Sequence, residues 1–289
     1  MKLLVILNPH AAGGRARRLA PRLERMLTAS AHQGTLCVTE STSEMDAAIR
    51  EGAAHGFDGL VLAGGDGMVH AALPAVHDTG LPFTVYPCGR GNDFARNAGL
   101  ARSRPAGIPV APEPGYRELD LPFINGTPFA SSAYFGFDAA VSRLARDRAG
   151  YFGGSLGYAI CVLKALRQVR PFAVTLRVDG APWTTRVMMM AVANGPYYGG
   201  GMCIAPGARV DDGRLDLCLV GDVSRWELIR QFPRVYRGTH VAHSAVVTAS
   251  GRRIEVIANE GREIFADGEF VGTAPATIEV GRARMRVLL

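Results

Sequence analysis

A carboxylate flanked by glycines follows one of the apolar runs of the sequence. Residues 60–63 read LVLA, and GGDG (64–67) comes directly after them. The apolar run predicts a buried parallel strand, and helical spacing of apolar residues resumes behind the turn. Glycines in such a turn let backbone amides approach a phosphate, which the helix N-terminus also favours. Asp66 would repel that phosphate unless it holds a metal ion or accepts a proton; the alternative is that it only caps its helix.

Two further glycine-containing turns follow apolar runs in the first hundred residues. NPHAAGGR (8–15) follows LLVIL, and PCGRGNDFAR (87–96) follows FTVY. Because neighbouring parallel strands end at the same edge of a sheet, three such turns would surround one crevice. None of them is specific alone, since the sequence has no Walker-type G-x-x-x-x-G-K-[ST] motif and GRGNDF lacks the last glycine of a dinucleotide fingerprint.

Two acidic turns lie in the second half of the sequence. DDG (211–213) precedes the strand-like LDLCLVGD, and ADGE (266–269) places a carboxylate directly after Asp-Gly. Asp-Gly is a strong signal for a tight β-hairpin, so each motif is explained by an ordinary turn as well as by a functional site. The residues alone leave both interpretations open.

The elements that must position these turns change near the middle of the chain. Up to about residue 100, apolar runs alternate with helical stretches, which predicts βα units in a parallel sheet. The Pro- and Gly-rich residues 102–115 indicate a linker. Beyond them strand-like segments dominate, interrupted by two predicted helices at about 154–169 and 224–237. The sequence therefore predicts a parallel α/β domain followed by a mostly antiparallel β domain, with a last strand that could join either.

The composition excludes several classes of protein. The 289 residues are 48% apolar and 20% charged, which is ordinary for a soluble globular protein and allows two cores. No apolar run approaches the about 18 to 20 residues needed to cross a bilayer. The five cysteines form no CxxC pair, so we expect buried, reduced thiols rather than a zinc site. A net charge of +6 favours anionic partners such as nucleotides or phospholipid surfaces.

Six motifs occur in an order that resembles the bacterial diacylglycerol kinase and sphingosine kinase family. They are NPHAAGG (8–14), AGGDG (63–67), GNDFAR (91–96), YFGFDA (134–139), YYGGGMCIAPGARVDDGRLDL (197–217) and ADGE (266–269). The resemblance covers essentially the whole chain. It implies an α/β N-terminal domain with a parallel sheet similar to NAD kinases and phosphofructokinases, residues 1–118 rejoined by 278–289. It also implies a C-terminal β-sandwich domain, residues 119–277, with ATP bound between the two.

The resemblance implies a lipid kinase that transfers the γ-phosphate of ATP to a lipid hydroxyl with Mg²⁺. Phosphoryl transfer needs charge neutralisation, alignment and a base near the attacking hydroxyl. The resemblance assigns catalytic roles to Asp66, Asp267 and Glu269, with Glu269 as the proton acceptor. The residues it implies in ATP binding are Asn8, Pro9, His10, Gly13, Gly14, Arg15, Thr39, Gly64, Gly65, Gly67, Met68, His70, Gly89, Arg90 and Asn92.

A structural Mg²⁺ near DDG is implied by the same resemblance, and hard oxygen ligands suit that ion. The implied ligands are Asp212, Asp211 and the backbone carbonyls of Arg209 and Arg214. Asp93 and Asp120 match acidic positions that link this metal to the interdomain cleft through water in the family. Interpreted without the family, Asp93 would cap a helix and Asp120 would end a strand in solvent.

The motifs depart from the family pattern at several positions: His70 stands where asparagine is common, Ala12 stands where glycine is commoner, and two further positions lack a threonine. Met68 and Arg90 each stand where threonine is usual. Met68 removes a hydroxyl, and the guanidinium of Arg90 could either bind phosphate or block the pocket. Two alternatives to a lipid kinase therefore stay open. One is an NAD kinase-like enzyme, although the Asn-Glu pair expected for dinucleotide binding is absent. The other is a pseudokinase that binds nucleotide or lipid without turnover.

A lipid kinase must receive its acceptor from a membrane, and the sequence does not identify which lipid this acceptor is. Diacylglycerol, a sphingoid base, ceramide and a related glycerolipid all remain open as acceptors. The arginines of the predicted helix at 16–30 and the stretch 142–158 could bind an anionic bilayer; the alternative is a solvated charged face. The apolar residues of 157–169 predict core packing rather than a lipid channel. We expect a cytoplasmic protein, reversibly associated with the inner face of the membrane, with no nucleic acid partner; a homodimer stays open.

Overall fold

The structure of the protein is a computed structural model that describes residues 1–10, 14–100, 103, 105–147, 155–258 and 261–289. Within these residues the chain divides into two compact units. Unit 1 comprises Met1–Leu121 and Arg282–Leu289, and unit 2 comprises Pro122–Gly281. Each unit is described by itself.

Unit 1 contains a parallel sheet. Its parallel strands are β1 (Lys2–Leu7), β2 (Gln33–Val38), β3 (Gly59–Gly64), β4 (Phe83–Pro87) and the end of β18 (Ala276–Leu288). Most of β5 (Tyr116–Ile124) also belongs to this unit and pairs with β18 in the antiparallel direction. β1 lies between β2 and β3, and β4 pairs with β3 on the other side. Val287 of β18 pairs in parallel with Phe83 of β4. The parallel register brings the carboxyl ends of β1, β3 and β4 to the same edge of the sheet, where the three glycine-containing turns begin.

Helices follow these strands as the apolar spacing predicts. They are a 3-10 helix (Arg15–Leu19), α1 (Ala20–Thr28), α2 (Thr42–Ala54), α3 (Asp66–Thr79) and α4 (Asp93–Asn97). Leu23, Met26 and Leu27 of α1 are buried in the apolar core of the unit. Pro21 occupies the first turn of α1, where its missing N–H costs no hydrogen bond, and the turn before it is 3-10 rather than α. The described residues between 103 and 115 lie outside helices and strands.

Unit 2 is a β-sandwich. Its further strands are β6 (Thr127–Pro128), β7 (Ser132–Gly136), β8 (Phe172–Val178), β9 (Ala181–Val187), β10 (Met189–Ala193), β11 (Tyr197–Tyr198), β12 (Met202–Cys203), β13 (Leu215–Val220), β14 (Val246–Gly251), β15 (Arg253–Ala258), β16 (Glu263–Ala266) and β17 (Glu269–Thr273). One antiparallel sheet has the order β14-β13-β10-β7-β16-β17, and the other contains β9, β8, β15 and the first part of β18. Val192 of β10 and Val256 of β15, both fully buried, belong to one apolar cluster contributed by both sheets.

Helices cover the outer face of the six-stranded sheet of unit 2. They are α5 (Phe137–Asp147), α6 (Ser155–Gln168), α7 (Arg225–Val235) and a 3-10 helix (Thr239–Ala242). Because side chains alternate along a strand, Met190 of β10 faces the sandwich core while Met189 belongs to a second apolar cluster that includes the helices. This second cluster is where the unit holds its apolar cavity.

Two expectations for the helices of unit 2 were wrong. The sequence predicted α6 and α7 as the helices of this region, and α5 forms a third one between them and β7. Leu163 was expected on the packed face of α6 but is 58% exposed, whereas Cys161 and Ala165 are buried there. None of the helices in the described part of the chain has the length and hydropathy that a membrane span requires.

Candidate active site

Two glycines from neighbouring turns approach each other at the carboxyl edge of the unit 1 sheet. Gly65 follows β3 and Gly89 follows β4. A Cβ added to Gly65 would lie 2.9 Å from the Cα of Gly89, and a Cβ on Gly89 would lie 2.6 Å from the Cα of Gly65. Backbone atoms cannot move aside as a flexible side chain can, so any side chain at either position would push the turns apart.

Asp66 is the first residue of α3, yet its carboxylate caps the neighbouring helix. The Oδ1 atom accepts a hydrogen bond from the backbone N–H of Phe94, in the first turn of α4, at 3.0 Å. Asp66 is therefore a helix cap, but of α4 and not of its own helix α3. The hydrogen bond connects the turn after β3 to the turn after β4. The side chain remains partly exposed at the edge of the sheet.

Asn92 closes the turn after β4. Its backbone is left-handed, with φ of 51°, a conformation that asparagine adopts more readily than most residues. Its Oδ1 accepts from the N–H of Gly89 at 3.1 Å, and its Nδ2 donates to the carbonyl of Gly89 at 3.3 Å. Arg90 lies within this closed turn and is exposed, so its guanidinium is accessible to an anion.

The turn after β1 carries a charge cluster that the sequence analysis did not predict. Asn8 Oδ1 accepts from the N–H of His10 at 2.9 Å. Glu40, just beyond β2, lies 2.8 Å from Nε2 of His10 and 2.6 Å from Nη2 of Arg17. The hydrogen bond from Arg17 is the main cause that lowers the pKa of Glu40. The cluster is exposed, so it orients the turn more than it stabilises the fold.

The other residues expected to bind ATP here lie in the turn after β1, except for Thr39, which directly follows β2. Pro9 is buried, and Gly14 has a left-handed φ of 83° and donates its N–H to the carbonyl of His10. Thr39 is only 4% exposed and its N–H donates to the carbonyl of Leu7 at 3.1 Å. Gly13 and the side chain of Arg15 lie outside the described residues.

Met68 packs back onto the turn that it follows. Its side chain is 5% exposed, and its Sδ would lie 2.4 Å from a Cβ on Gly64. The methionine is therefore a core residue, whereas a threonine at this position would bring a hydroxyl. Gly67 is exposed and His70 is partly buried.

The two residues of the predicted acidic network in unit 1 are both buried. Asp93 is 5% exposed, and its Oδ1 lies 4.0 Å from Nε of Arg96. Asp120 is fully buried, and its Oδ1 lies 3.0 Å from Nη1 of Arg284. The interpretation of Asp120 as a solvated strand end was therefore wrong, because an arginine from β18 compensates its charge. Arg284 was not predicted, since a single arginine in a strand has no distinctive spacing.

The DGE motif of unit 2 is a β-hairpin turn with an anchored first residue. Asp267 and Gly268 connect β16 to β17 and both have positive φ, 51° and 97°, as a type I′ turn requires. The Asp267 carboxylate accepts three backbone N–H groups, from Ala130 at 2.7 Å, Ser131 at 2.8 Å and Ser132 at 3.2 Å. These bonds hold the hairpin to the start of β7.

Glu269, the third residue of the motif, lacks the backbone hydrogen bonds that hold Asp267. It is exposed, and the part of the chain that the structure describes supplies it with no hydrogen bond or ion pair. The motif therefore combines one carboxylate fixed by the backbone with another that is available to a ligand.

The DDG motif lies at the surface of unit 2, and both of its carboxylates contact neighbouring residues. Asp212 Oδ1 accepts from the N–H of Arg214 at 3.0 Å, and Asp211 Oδ1 lies 3.5 Å from Nε of Arg209. Burial, and secondly the charge of Asp212, raise the pKa of Asp216. Carboxylate and carbonyl oxygens fit Mg²⁺ by their chemistry. No three His, Cys, Asp or Glu side chains within the described ranges form a metal-binding group, so an ion here would also need backbone oxygens.

An apolar cavity with a polar corner lies under α7 in unit 2. Tyr198 donates its hydroxyl to Asp138 Oδ2, and burial raises the pKa of Asp138 to about 6. His240 is 2% exposed; its Nε2 donates to the carbonyl of Ile204 at 3.1 Å, and burial lowers its pKa. The remaining lining is dominated by apolar side chains, among them Phe137, Met189, Met202, Val220, Leu228, Phe232, Val235 and Val246.

Comparison with known families assigns each half of the chain. Residues 2–121 match the diacylglycerol kinase catalytic domain, and residues 131–289 match the YegS C-terminal NAD kinase beta sandwich-like domain. The chain belongs to the family of diacylglycerol kinases and YegS-like lipid kinases. Both the predicted resemblance and the predicted fold class are thereby confirmed. Enzymes of this family are phosphotransferases with an alcohol acceptor, so the protein is an enzyme of that type.

Individual proteins that are similar to this chain are named as kinases of the same family. A diacylglycerol kinase from Mycobacterium tuberculosis is 34% identical over 242 residues, which cover 81% of this chain and 78% of the relative. A probable lipid kinase YegS-like from Pseudomonas aeruginosa is 27% identical and covers 100% of this chain and 94% of its own. The crystal structure of a diacylglycerol kinase from Bacillus anthracis has a TM-score of 0.74 at 19% identity, covering 99% of this chain and 96% of that chain. At this identity the structural likeness concerns the fold alone.

Proposed function

We propose that this lipid kinase family member transfers the γ-phosphate of ATP, with Mg²⁺, to a hydroxyl of diacylglycerol or a related sphingoid, ceramide or glycerolipid acceptor. The observation that carries the proposal is the junction of Gly65, Gly89 and Asp66 at the carboxyl edge of a parallel sheet. In an open α/β sheet this edge is the usual ligand site, and the family is one of kinases.

The ATP phosphates are proposed to bind at the three turns that follow β1, β3 and β4. The contact between Gly65 and Gly89 supports this, because two turns without side chains at their junction can offer backbone N–H groups to phosphate oxygens. Arg90 would add an exposed guanidinium, which binds phosphate bidentately. The carboxylate of Asp66 would contact the metal-bound nucleotide or the incoming hydroxyl.

The reaction needs a nucleophile, a leaving group and a base. The acceptor hydroxyl oxygen forms a bond to the γ-phosphorus, the bond from that phosphorus to the β,γ-bridging oxygen breaks, and ADP leaves. Glu269 is proposed to take the hydroxyl proton, and its exposure without a partner in the described residues supports that role. Asp267 is proposed to position Glu269, because its three backbone hydrogen bonds fix the hairpin that carries both.

Asp212, with Asp211 and the backbone carbonyls of Arg209 and Arg214, is proposed to hold a structural Mg²⁺. When bound, such an ion neutralises the negative charge of the DDG turn and orders it. Asp93 and Asp120 are proposed to belong to an acidic network that supports the metal. Their burial shows that each charge needs compensation, which Arg96 and Arg284 supply at least in part.

The lipid body is proposed to enter the apolar cavity of unit 2. A site for a greasy acceptor needs an apolar wall and a few polar groups that orient the hydroxyl. The cavity under α7 has such a wall, and Asp138, Tyr198 and His240 form its polar corner. A ketone, amine or second hydroxyl of the acceptor could hydrogen-bond there, so this corner is where acceptor choice is proposed to be made.

Reversible association with the inner face of the membrane is proposed to present the acceptor. Arg18, Arg22 and Arg25 near the start of unit 1 are exposed, and none of them pairs with a carboxylate in the described part of the chain. Each well-placed cation contributes about 1 kcal/mol of attraction to an anionic surface. A cytoplasmic location is part of the proposal.

The test is incubation with Mg²⁺, γ-labelled ATP and vesicles of mixed lipids, followed by lipid extraction and mass spectrometry. Label in an extracted lipid supports the proposal and names the acceptor. Asp66→Asn and Glu269→Gln should each lower turnover by a factor of about 100 or more. Glu113→Gln, which removes an exposed carboxylate from a segment outside helices and strands, should leave it unchanged.

Two outcomes would replace the proposal. With NAD added to the same incubation, label in NADP rather than in a lipid would identify an NAD kinase-like enzyme. Saturable ATP binding without transfer to any acceptor would identify a pseudokinase, and the packing of Met68 over Gly64, which leaves no hydroxyl at that position, is the observation that favours this second outcome.

A further inference from the structure

Helix α7 has two faces, and the outward one is unusual for a protein surface. Trp226 is 82% exposed, Ile229 is 41% exposed and Tyr236, directly after the helix, is 47% exposed. Their spacing of three to ten residues places them on one side of a helix with 3.6 residues per turn. Isolated exposed apolar residues are common, but three on one helix side, including a tryptophan, form a patch.

Arginines surround this patch. Arg225, Arg230, Arg234 and Arg237 are all exposed, and no carboxylate in the described part of the chain pairs with any of them. The acidic residue of the helix, Glu227, is turned away and lies 2.9 Å from Nε2 of His243. The outward side of α7 therefore combines apolar and aromatic groups with uncompensated positive charge.

The inward face of the same helix closes the apolar cavity. Leu228, Phe232 and Val235 line it, and no residue of α7 is fully buried. The cavity leaves only about 50 Å³ of free space. Sites for small organic ligands have about 300 to 1,000 Å³. A lipid chain can therefore enter only if the lining moves, and α7, which has no fully buried residue, is the part of the lining that can move outward.

We propose that the outward side of α7 docks on an anionic phospholipid bilayer, with Trp226 and Ile229 in the interfacial region and the arginines on the lipid headgroups. Tryptophan and tyrosine favour the membrane interface, and amphipathic helices with arginine lie in its plane. Docking draws α7 away from the cavity and opens it toward the lipid phase. The docking is inferred from the exposed side of α7 alone, whereas the opening of the cavity for a lipid rests on the proposed lipid kinase function.

A vesicle sedimentation experiment without nucleotide tests the docking. The test variant is Ile229→Ala with Arg230→Ala, and its matched control is Ile257→Ala with Arg177→Ala, which removes an exposed isoleucine and an exposed arginine from β15 and β8. Loss of one arginine should weaken partitioning to phosphatidylcholine vesicles containing phosphatidylglycerol about fivefold. When the isoleucine is lost as well, as in the test variant, partitioning should fall more than about tenfold. The control variant should partition within about twofold of the wild type. Equal partitioning of test and control variants would overturn the docking.

Trp226 itself reports the insertion. The chain has two tryptophans, so Trp183→Phe leaves Trp226 as the only one. Its fluorescence should shift to shorter wavelength when anionic vesicles are added and should stay unchanged with pure phosphatidylcholine vesicles. A spectrum that never shifts overturns the proposal. So does a Trp226→Ala variant that turns a dimer into a monomer in sedimentation velocity while its vesicle binding is unchanged, because the patch is then an interface between copies.

Kinase assays separate this proposal from the function on which its second part rests. With a short-chain, water-soluble diacylglycerol the test variant should keep the wild-type turnover, and with vesicle-embedded diacylglycerol its KM should rise about tenfold. Equal loss in both formats would overturn the role of α7 in lipid access. Absence of lipid phosphorylation by the wild type would refute the proposed function, while the vesicle and fluorescence results would still decide the docking.

Discussion

The carboxylate of Asp66 and the backbone N–H of Phe94, 28 residues apart in sequence, are joined by a hydrogen bond of 3.0 Å. The bond links the glycine turn after β3 to the glycine turn after β4. One side chain thus has two duties: it holds the turns together, and its carboxylate is proposed to take part in phosphoryl transfer. Substitutions that differ in hydrogen-bonding capacity separate the two.

Asp66→Asn should keep the cap and lose the charge, because the amide oxygen still accepts the N–H of Phe94. We expect its free energy of unfolding to stay within about 0.5 kcal/mol of the wild type, whereas Asp66→Ala should lose about 1 kcal/mol. Turnover should fall about 100-fold or more in both. Urea unfolding and kcat measurements check this; an active Asp66→Asn would restrict Asp66 to its capping role.

Gly89→Ala should force apart the two turns at the junction. Its Cβ would lie 2.6 Å from the Cα of Gly65, and relief of such overlap costs about 1 to 3 kcal/mol. We expect that loss in the free energy of unfolding together with weaker ATP binding in calorimetry. Gly107→Ala is the matched control, since nothing lies within 4 Å of its Cβ position. A Gly89→Ala variant with wild-type ATP affinity would show that the junction does not contact the nucleotide.

The two carboxylates of the DGE motif should respond to substitution in opposite ways. Asp267→Ala leaves three backbone N–H groups without their acceptor and should cost about 3 kcal/mol or more of stability. Glu269→Gln should change stability by less than about 0.5 kcal/mol, because the side chain is exposed, and should abolish most turnover. Thermal unfolding and initial rates measured on the same preparations distinguish them. A stable Asp267→Ala variant would contradict its anchoring role.

Asp138 should make the stability of unit 2 depend on pH. Burial raises its pKa to about 6, above the value of about 4 for an unfolded aspartate, so the folded state holds the proton more tightly. Its favourable contribution is complete below about pH 4 and is lost as pH rises through about 6. The loss has a ceiling of about 3 kcal/mol, because a tenfold difference in proton affinity between the folded and unfolded states corresponds to about 1.4 kcal/mol.

Asp138→Asn removes that dependence and still accepts the hydroxyl of Tyr198. Urea unfolding at pH 4 and pH 7.5 should show that the variant is more stable than the wild type only at the higher pH. Other titrating groups are common to both proteins and cancel in the difference. Parallel pH profiles of the two proteins would mean that the carboxyl of Asp138 reaches water freely.

Much of the fold was predictable because it rests on local patterns. The apolar runs of β1, β3 and β4 and the turn glycines behind them indicate a parallel sheet and its ligand edge without knowledge of distant contacts. The Asp-Gly hairpin at 267–268 was equally readable. These local patterns do not predict the hydrogen-bond partner of each polar group. Asp267 is the clearest case, because its carboxylate accepts hydrogen bonds from a segment more than 130 residues away in the sequence.

Long-range pairing explains the other omissions. Arg284 and Asp120 are an ordinary arginine and aspartate in sequence, and only the approach of β18 to β5 makes them a buried pair. Glu40 looks like a solvated charge until the turn after β1 brings His10 to it. Helix α5 was missed because YFGFDA, which contains its first residues, was used only as a motif of the family resemblance and the periodicity of the residues after it was not considered.

The last strand, β18, has a consequence for how the protein is made. Its final residues pair with β4, and Leu288 is buried in the apolar core of unit 1. These residues follow all of unit 2 in the sequence. During synthesis the edge of β4 in unit 1 therefore stays unpaired until the whole of unit 2 has been translated.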